Sequence, residues 1–185
     1  MANKGNIIKS SEMKAGEYRR FLDDLKGDGE FIKLKNGLYA DIDAIAADMV
    51  DIESIVPGGI LCLYSAWAFY GMTTRIPDSF YVAIDRDRKV RLPKAIDVTL
   101  VYQSPSILEI GKTREIIAGH DIAIYDRERC VCDAIKYRNK IGIDVMQDIV
   151  TSYLNWPGRN LDRLSKYSQS LRVAQTLKRY LEISL

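Results

Sequence analysis

Two adjacent cations, Arg19 and Arg20, follow Tyr18 in the stretch Glu17-Tyr-Arg-Arg-Phe21, and farther along Lys33 and Lys35 alternate with Ile32 and Leu34. Guanidinium groups carried on a helix read base edges and phosphates, and ammonium groups on a hairpin neutralise phosphates. The chemistry on offer there is duplex recognition. The residue types that make and break bonds are present but wrongly spaced. Gly111-Lys112-Thr113 matches the tail of a phosphate-binding loop, yet Ser106 stands where its leading glycine is required. Glu109 and Lys112 miss the spacing of a nuclease acid-x-Lys strand by one residue, and Asp85, Asp87 and Asp97, the available acidic partners, sit among cations. Cys130 and Cys132 would need two further ligands for zinc, and only Cys62 and His120, on separate elements, are available. His120, the one histidine, is expected in the polar turn Gly119-His-Asp121. The expectation is no catalytic residue, no metal and no cofactor.

The cations need elements to hold them. Ser10 and Ser11 precede Glu12, Met13 and Lys14, the pattern of a capped helical turn, which Gly16 interrupts. From Glu17 the apolar residues Tyr18, Phe21, Leu22 and Leu25 recur at helical spacing with Arg19, Arg20, Asp23 and Asp24 between them, and the helix ends at Lys26-Gly27. Phe31 to Lys35, then Asn36-Gly37, then Leu38 to Ala40 read as a hairpin, with Lys33 and Lys35 on the face opposite Ile32 and Leu34. Short helix, turn, second helix and hairpin, in that order, is the second half of a winged helix-turn-helix, whose second helix would lead into the major groove with Tyr18, Arg19 and Arg20. The competing reading is a small α+β unit with an ordinary solvated face, for which Asp23 and Asp24 argue because they would repel DNA.

The 185 residues, 47% hydrophobic and 28% charged, suffice for a core and fit one domain or two small ones. The net charge of +2 excludes a polybasic protein, so any anionic partner must be met by a local patch. Residues 41–57 hold five acids and no Lys or Arg, between a first segment with eight bases against six acids and a remainder with nineteen against fourteen. Ile42, Ile45, Ala46, Met49 and Ile52 in that stretch are spaced as an acidic helix, and a boundary is placed beside it, giving domains 1–56 and 57–185. Three cysteines and no apolar leader point to reduced thiols and a cytoplasmic location, and the apolar stretch from Ile60 to Met72 is too short to span a bilayer.

In the second domain, Ile60 to Tyr70 reads as a buried helix closed by Gly71. Strands are expected at Phe80–Ile84, Val98–Tyr102, Ile107–Ile110, Glu115–Ala118 and Ile122–Tyr125, forming a mostly antiparallel sheet, with Arg86, Arg88, Lys89 and Arg91 in a mixed-charge loop. Helices follow at Arg127–Lys140, Asp144–Leu154 and, as one long amphipathic element, Leu161–Glu182. Arg129 and Asp133 suit an intrahelical ion pair worth a few tenths of a kcal/mol.

Several short stretches, taken in order, resemble the AbiEi-type antitoxins, the transcriptional-repressor halves of AbiE toxin–antitoxin pairs. They are residues 28–39 (Asp28-Gly-Glu-Phe-Ile-Lys-Leu-Lys-Asn-Gly-Leu-Tyr39), residues 63–72 around Trp67, Tyr125-Asp-Arg-Glu-Arg-Cys-Val-Cys-Asp133, and Tyr137-Arg-Asn-Lys-Ile-Gly-Ile-Asp144. The resemblance covers the chain from about Ile7 to its C-terminus. It implies a non-enzymatic protein whose winged helix binds double-stranded DNA at inverted repeats in its own promoter, possible self-association on that DNA, and a C-terminal domain that counters a nucleotidyltransferase-like toxin. Carried over by position, the DNA-binding residues are Ser10, Ser11, Lys14, Tyr18, Arg19 and Arg20 at the major groove and Lys33, Lys35 and Asn36 on the wing. The family's winged domain opens with a helix ahead of the position of Ile7, where only Met1–Asn6 stand here. The fold class expected is therefore α+β, a truncated winged helix-turn-helix followed by an α+β domain with C-terminal helices. The alternative is a protein-interaction module without operator binding. No membrane partner is implied.

Overall fold

Period-two alternation fixes the strands and apolar stripes of helical period fix the helices along most of this chain. In the computed structural model the described residues are 7–24, 31–35, 37–41, 51–117 and 119–184. They form a mixed α+β structure with a three-stranded and a five-stranded sheet.

The N-terminal elements are β1 (Ile7–Lys9), a 3-10 turn (Ser10–Glu12), α1 (Ala15–Asp24), β2 (Phe31–Lys35) and β3 (Leu38–Asp41). The hairpin lies where the Asn-Gly signal puts it, with Gly37 in the left-handed conformation at φ 76°. β1 was not legible, because three residues are too few to show a period. It pairs antiparallel with β3 and completes the sheet in the order β1-β3-β2. The expected capped helical turn at Ser10-Ser11 is a single 3-10 turn that follows Lys9 without a side-chain cap. Between β2 and β3 the register shifts: Lys33 pairs with Tyr39 but Lys35 with Leu38, so the expected alternation breaks between the two lysines. The expected helix end at Leu25–Gly27, Asn36 and the expected acidic helix over 42–50 lie outside the described residues.

The larger unit comprises α2 (Ile52–Ile55), β4 (Ile60–Leu61), α3 (Leu63–Phe69), β5 (Phe80–Asp85), β6 (Val98–Gln103), α4 (Pro105–Leu108), β7 (Lys112–Ile117), β8 (His120–Tyr125), α5 (Arg127–Ile141), α6 (Ile143–Asn155), α7 (Leu161–Ser170) and α8 (Ala174–Ser184). The sheet order is β6-β5-β4-β8-β7. It is mixed rather than mostly antiparallel, since β5 runs parallel to β6 and β4 parallel to β8. The central strand β4 had been absorbed into the expected buried helix; the chain instead leaves β4 and turns into α3 at Leu63, whose φ is 45°. The expected strand at Ile107–Ile110 is the short helix α4, and the expected long C-terminal helix breaks at Leu171-Arg-Val173, with Arg172 at φ 59°. His120 opens β8, paired with Ile117, so the turn is tighter than expected and the histidine belongs to a strand.

The core gathers Trp67, Ile84, Ile124, Val131, Ile135, Met146, Ile149 and Tyr153, all at most 1% exposed. The indole N–H of Trp67 donates to the carbonyl of Cys130 at 3.1 Å, which ties α3 to α5. Ile52, Ile55 and Val56 belong to this same buried cluster, as does Leu38 of β3. No helix among the described residues is long and apolar enough to cross a membrane.

Candidate nucleic-acid interface

On α1, Tyr18, Phe21 and Leu22 are half-buried while Glu17, Arg19 and Arg20 are exposed, as the amphipathic spacing requires. The buried face is anchored on β3. The Phe21 ring meets Tyr39 edge-on with centroids 5.1 Å apart, and the hydroxyls of Tyr18 and Tyr39 lie 3.0 Å from each other. That hydrogen bond, with burial, pushes the Tyr39 phenol up to about 12. At the start of α1, Glu17 accepts from the backbone N–H of Lys14 at 3.1 Å, half of a capping box.

This geometry sorts the expected DNA-binding residues. Arg19 and Arg20 are exposed, and neither has an ion-pair partner among the described residues. Ser11, Lys14 and Lys33 are also exposed. Ser10 is half-buried, and its backbone N–H donates to the carbonyl of Gly37 at 2.8 Å, joining the 3-10 turn to the hairpin. Tyr18, half-buried, has its hydroxyl hydrogen-bonded to that of Tyr39, which ties the helix to β3. Lys9 pairs with Glu12 at 3.6 Å, so these two charges offset each other beside the 3-10 turn. Lys35 lies in β2 beyond the bulge.

In the larger unit the stretch 125–133 concentrates charge at the start of α5. Asp126 caps the helix, accepting from the N–H of Arg129 at 2.8 Å and from the hydroxyl of Tyr167 at 3.1 Å. The Arg127 guanidinium sits 4.7 Å from the ring centroids of both Tyr70 and Trp156. Glu128 is buried and accepts from the Tyr153 hydroxyl at 3.0 Å and the Asn160 N–H at 3.1 Å, with Arg163 at 3.6 Å. The Arg129–Asp133 ion pair forms as spaced, Nε to Oδ1 at 3.0 Å, but both partners are buried, so its worth is far from the few tenths expected of a surface pair. Arg129 Nη1 also donates to the carbonyls of Ile107 at 2.7 Å and Ile110 at 2.8 Å, and its guanidinium lies over the Tyr125 ring. Sequence reasoning missed the Glu128–Tyr153–Arg163 and Tyr70–Arg127–Trp156 groupings, because they join four helices far apart in the chain. A buried-looking run of alternating charges, Asp126-Arg-Glu-Arg129, was the available signal.

No protein family matches this chain, and no curated protein does. What the charged start of α5 can do therefore rests on its geometry. Asp126, Glu128, Arg129 and Asp133 are engaged in ion pairs and Arg127 lies over the Tyr70 and Trp156 rings, which fastens α3, α6 and α7 to α5. Among the described residues no group of three His, Cys, Asp or Glu could hold a metal ion. Cys62, Cys130 and Cys132 are buried free thiols, and desolvation pushes each above its usual range, the opposite of a reactive thiolate.

Asp126 carries a pH signature. Burial raises its pKa despite the cap hydrogen bond, so the folded protein holds this proton more tightly than the unfolded chain. Its contribution to stability is full below the unfolded value near 4 and is lost as pH rises through the higher folded value. Asp126→Asn, which keeps an oxygen for the cap, is expected to flatten that share of the decline. Thermal melts of both proteins between about pH 3 and 7 check it; parallel curves contradict it.

Proposed function

We propose that this chain is a DNA-binding transcriptional repressor, without catalytic residue or cofactor, acting in the cytoplasm as the antitoxin of an AbiE-like pair. It would hold inverted repeats in its own promoter and counter a nucleotidyltransferase-like toxin. The observation that carries the reading is the pair Arg19–Arg20, exposed and without an ion-pair partner among the described residues, on a helix whose opposite face is fixed to a sheet by Tyr18, Phe21 and Tyr39. A helix held from behind presents its cations at low entropic cost. The element order supports it: strand, turn, helix and hairpin, with the first strand lying beside the last. So does Lys33, exposed on the hairpin where a wing meets phosphates.

The test is a gel-shift titration of the full chain against the DNA upstream of its own gene. Saturable binding that falls steeply with salt is expected. Arg19→Ala should weaken it by ~1–3 kcal/mol if the guanidinium reads a base, whereas Lys33→Ala should leave sequence preference intact and reduce the salt slope by about 1. Equal affinity for a scrambled duplex overturns the repressor reading and leaves a module that binds a protein partner.

A further inference from the structure

Going beyond the repressor reading, we propose that the recess between α4, the last turns of α5 and the α7–α8 corner is a binding site for a small phosphate-bearing ligand. The recess has a volume of about 650 Å³, within the usual range for small-molecule sites. Three cations line it, Lys136, Arg138 and Arg172, together with the hydroxyls of Ser104, Ser106 and Thr176, and no carboxylate is among its walls. Among the described residues none of the three cations forms an ion pair, whereas the buried charges Glu128, Arg129 and Asp133 all do. Arg138 spends one nitrogen on the carbonyl of Ile135 at 2.9 Å. Lys136 is partly desolvated, and burial lowers its pKa even though Asp133, one turn back, pulls the other way. Lys136 and Arg138 are half-buried and Arg172 is exposed; gathering their like charges around one recess carries a repulsion that a bound anion would relieve.

Arg172 sharpens the inference. It ends α7 in the left-handed conformation, φ 59°, where the backbone closes with Val173 N–H on the carbonyl of Ser168 at 2.8 Å. Glycine is the residue that fits this corner without strain, and arginine there is held at a backbone cost. The first turn of α8 borders the same recess through Thr176, so the positive end of a helix dipole lies beside the cations. A phosphate group, with two charges and three acceptor oxygens, uses three cations and several hydroxyls where a carboxylate would leave most of them idle. A concave recess suits a free phosphate compound better than the backbone of a duplex. Ile107, Leu171 and Val173 supply an apolar wall for the remainder of such a molecule.

Isothermal titration calorimetry of the full chain with pyrophosphate, and separately with ATP, tests this, using Lys136→Gln, Arg172→Gly and, as a control, Lys94→Ala at an exposed lysine outside the recess. Saturable binding of at least one anion is expected, weakened about tenfold or more by Lys136→Gln and by Arg172→Gly and unchanged by Lys94→Ala. Arg172→Gly is expected to raise the melting temperature while losing the ligand, which separates a binding role from a structural one. Absence of saturable binding for both anions, or binding undiminished in Arg172→Gly, overturns the site. A third arm adds duplex DNA: if it displaces pyrophosphate and Lys136→Gln weakens the duplex to the same degree, the recess is a backbone contact and the small-ligand proposal is overturned.

Discussion

Asp133→Ala is expected to cost the fold about 3–5 kcal/mol, read as a shift of the urea unfolding midpoint at unchanged slope. The loss comes from what the substitution leaves behind. Arg129 is 0% exposed and cannot give up its proton, so without Asp133 its charge stays in the core with only the carbonyls of Ile107 and Ile110 and the Tyr125 ring to face it. Its Nη2 is already a buried nitrogen without a hydrogen-bond partner. Burial raises the pKa of Asp133 against the pull of Arg129, so desolvation opposes the charged carboxylate even with its partner in place. The double substitution Arg129→Met with Asp133→Leu removes both charges and should recover much of the loss, though the two freed carbonyls keep the recovery incomplete. An Asp133→Ala midpoint within about 1 kcal/mol of the parent contradicts this account.

That pair also shows where the sequence is legible and where it is not. Spacing four apart placed Arg129 and Asp133 on one helix face correctly, because i,i+4 proximity is local geometry. Burial of the pair was invisible, because it depends on α4 and its following turn closing over the helix, a contact from more than fifteen residues upstream. The same division runs through the fold. The Asn-Gly hairpin and the helices from Arg127 and Ile143 follow from short-range rules and stand where the pattern put them. Ile60–Leu61 failed the pattern because a two-residue strand flanked by apolar neighbours has no period of its own; its pairing with β5 and β8 makes it a strand. The break at Arg172 escaped because the corner lacks the glycine that normally announces it. At the N-terminus, helical spacing separated Arg19 and Arg20 from Tyr18, Phe21 and Leu22, yet nothing local said that the Tyr18 hydroxyl would be taken by Tyr39.

Gly111→Ala is expected to destabilise the protein by about 2–5 kcal/mol, combining the left-handed backbone cost of ~1–2 with an overpacking cost of ~1–3. Gly111 lies at φ 77°, in the turn that delivers β7 to the sheet. A Cβ there would overlap Cβ of Arg129 and meet Asp126 Oδ1 at 3.0 Å. The overlapping atom is fixed to the backbone of α5, so the obstruction cannot swing aside as the end of a flexible side chain would. The turn must retreat from the helix instead. Retreat breaks the 2.7 Å hydrogen bond from the Asp126 N–H to the Gly111 carbonyl and draws the Ile110 carbonyl away from Arg129. The damage is thus directed at the same guanidinium that Asp133 neutralises. The two sites share that group, so Gly111→Ala combined with Asp133→Ala should cost less than the sum of the single losses. Strict additivity in a double-mutant cycle would show that the turn and the ion pair are independent and that the clash is relieved some other way. Gly119→Ala is the matching control: it has a positive φ of 84° but open space around its Cβ, so it should show only the backbone share of the cost.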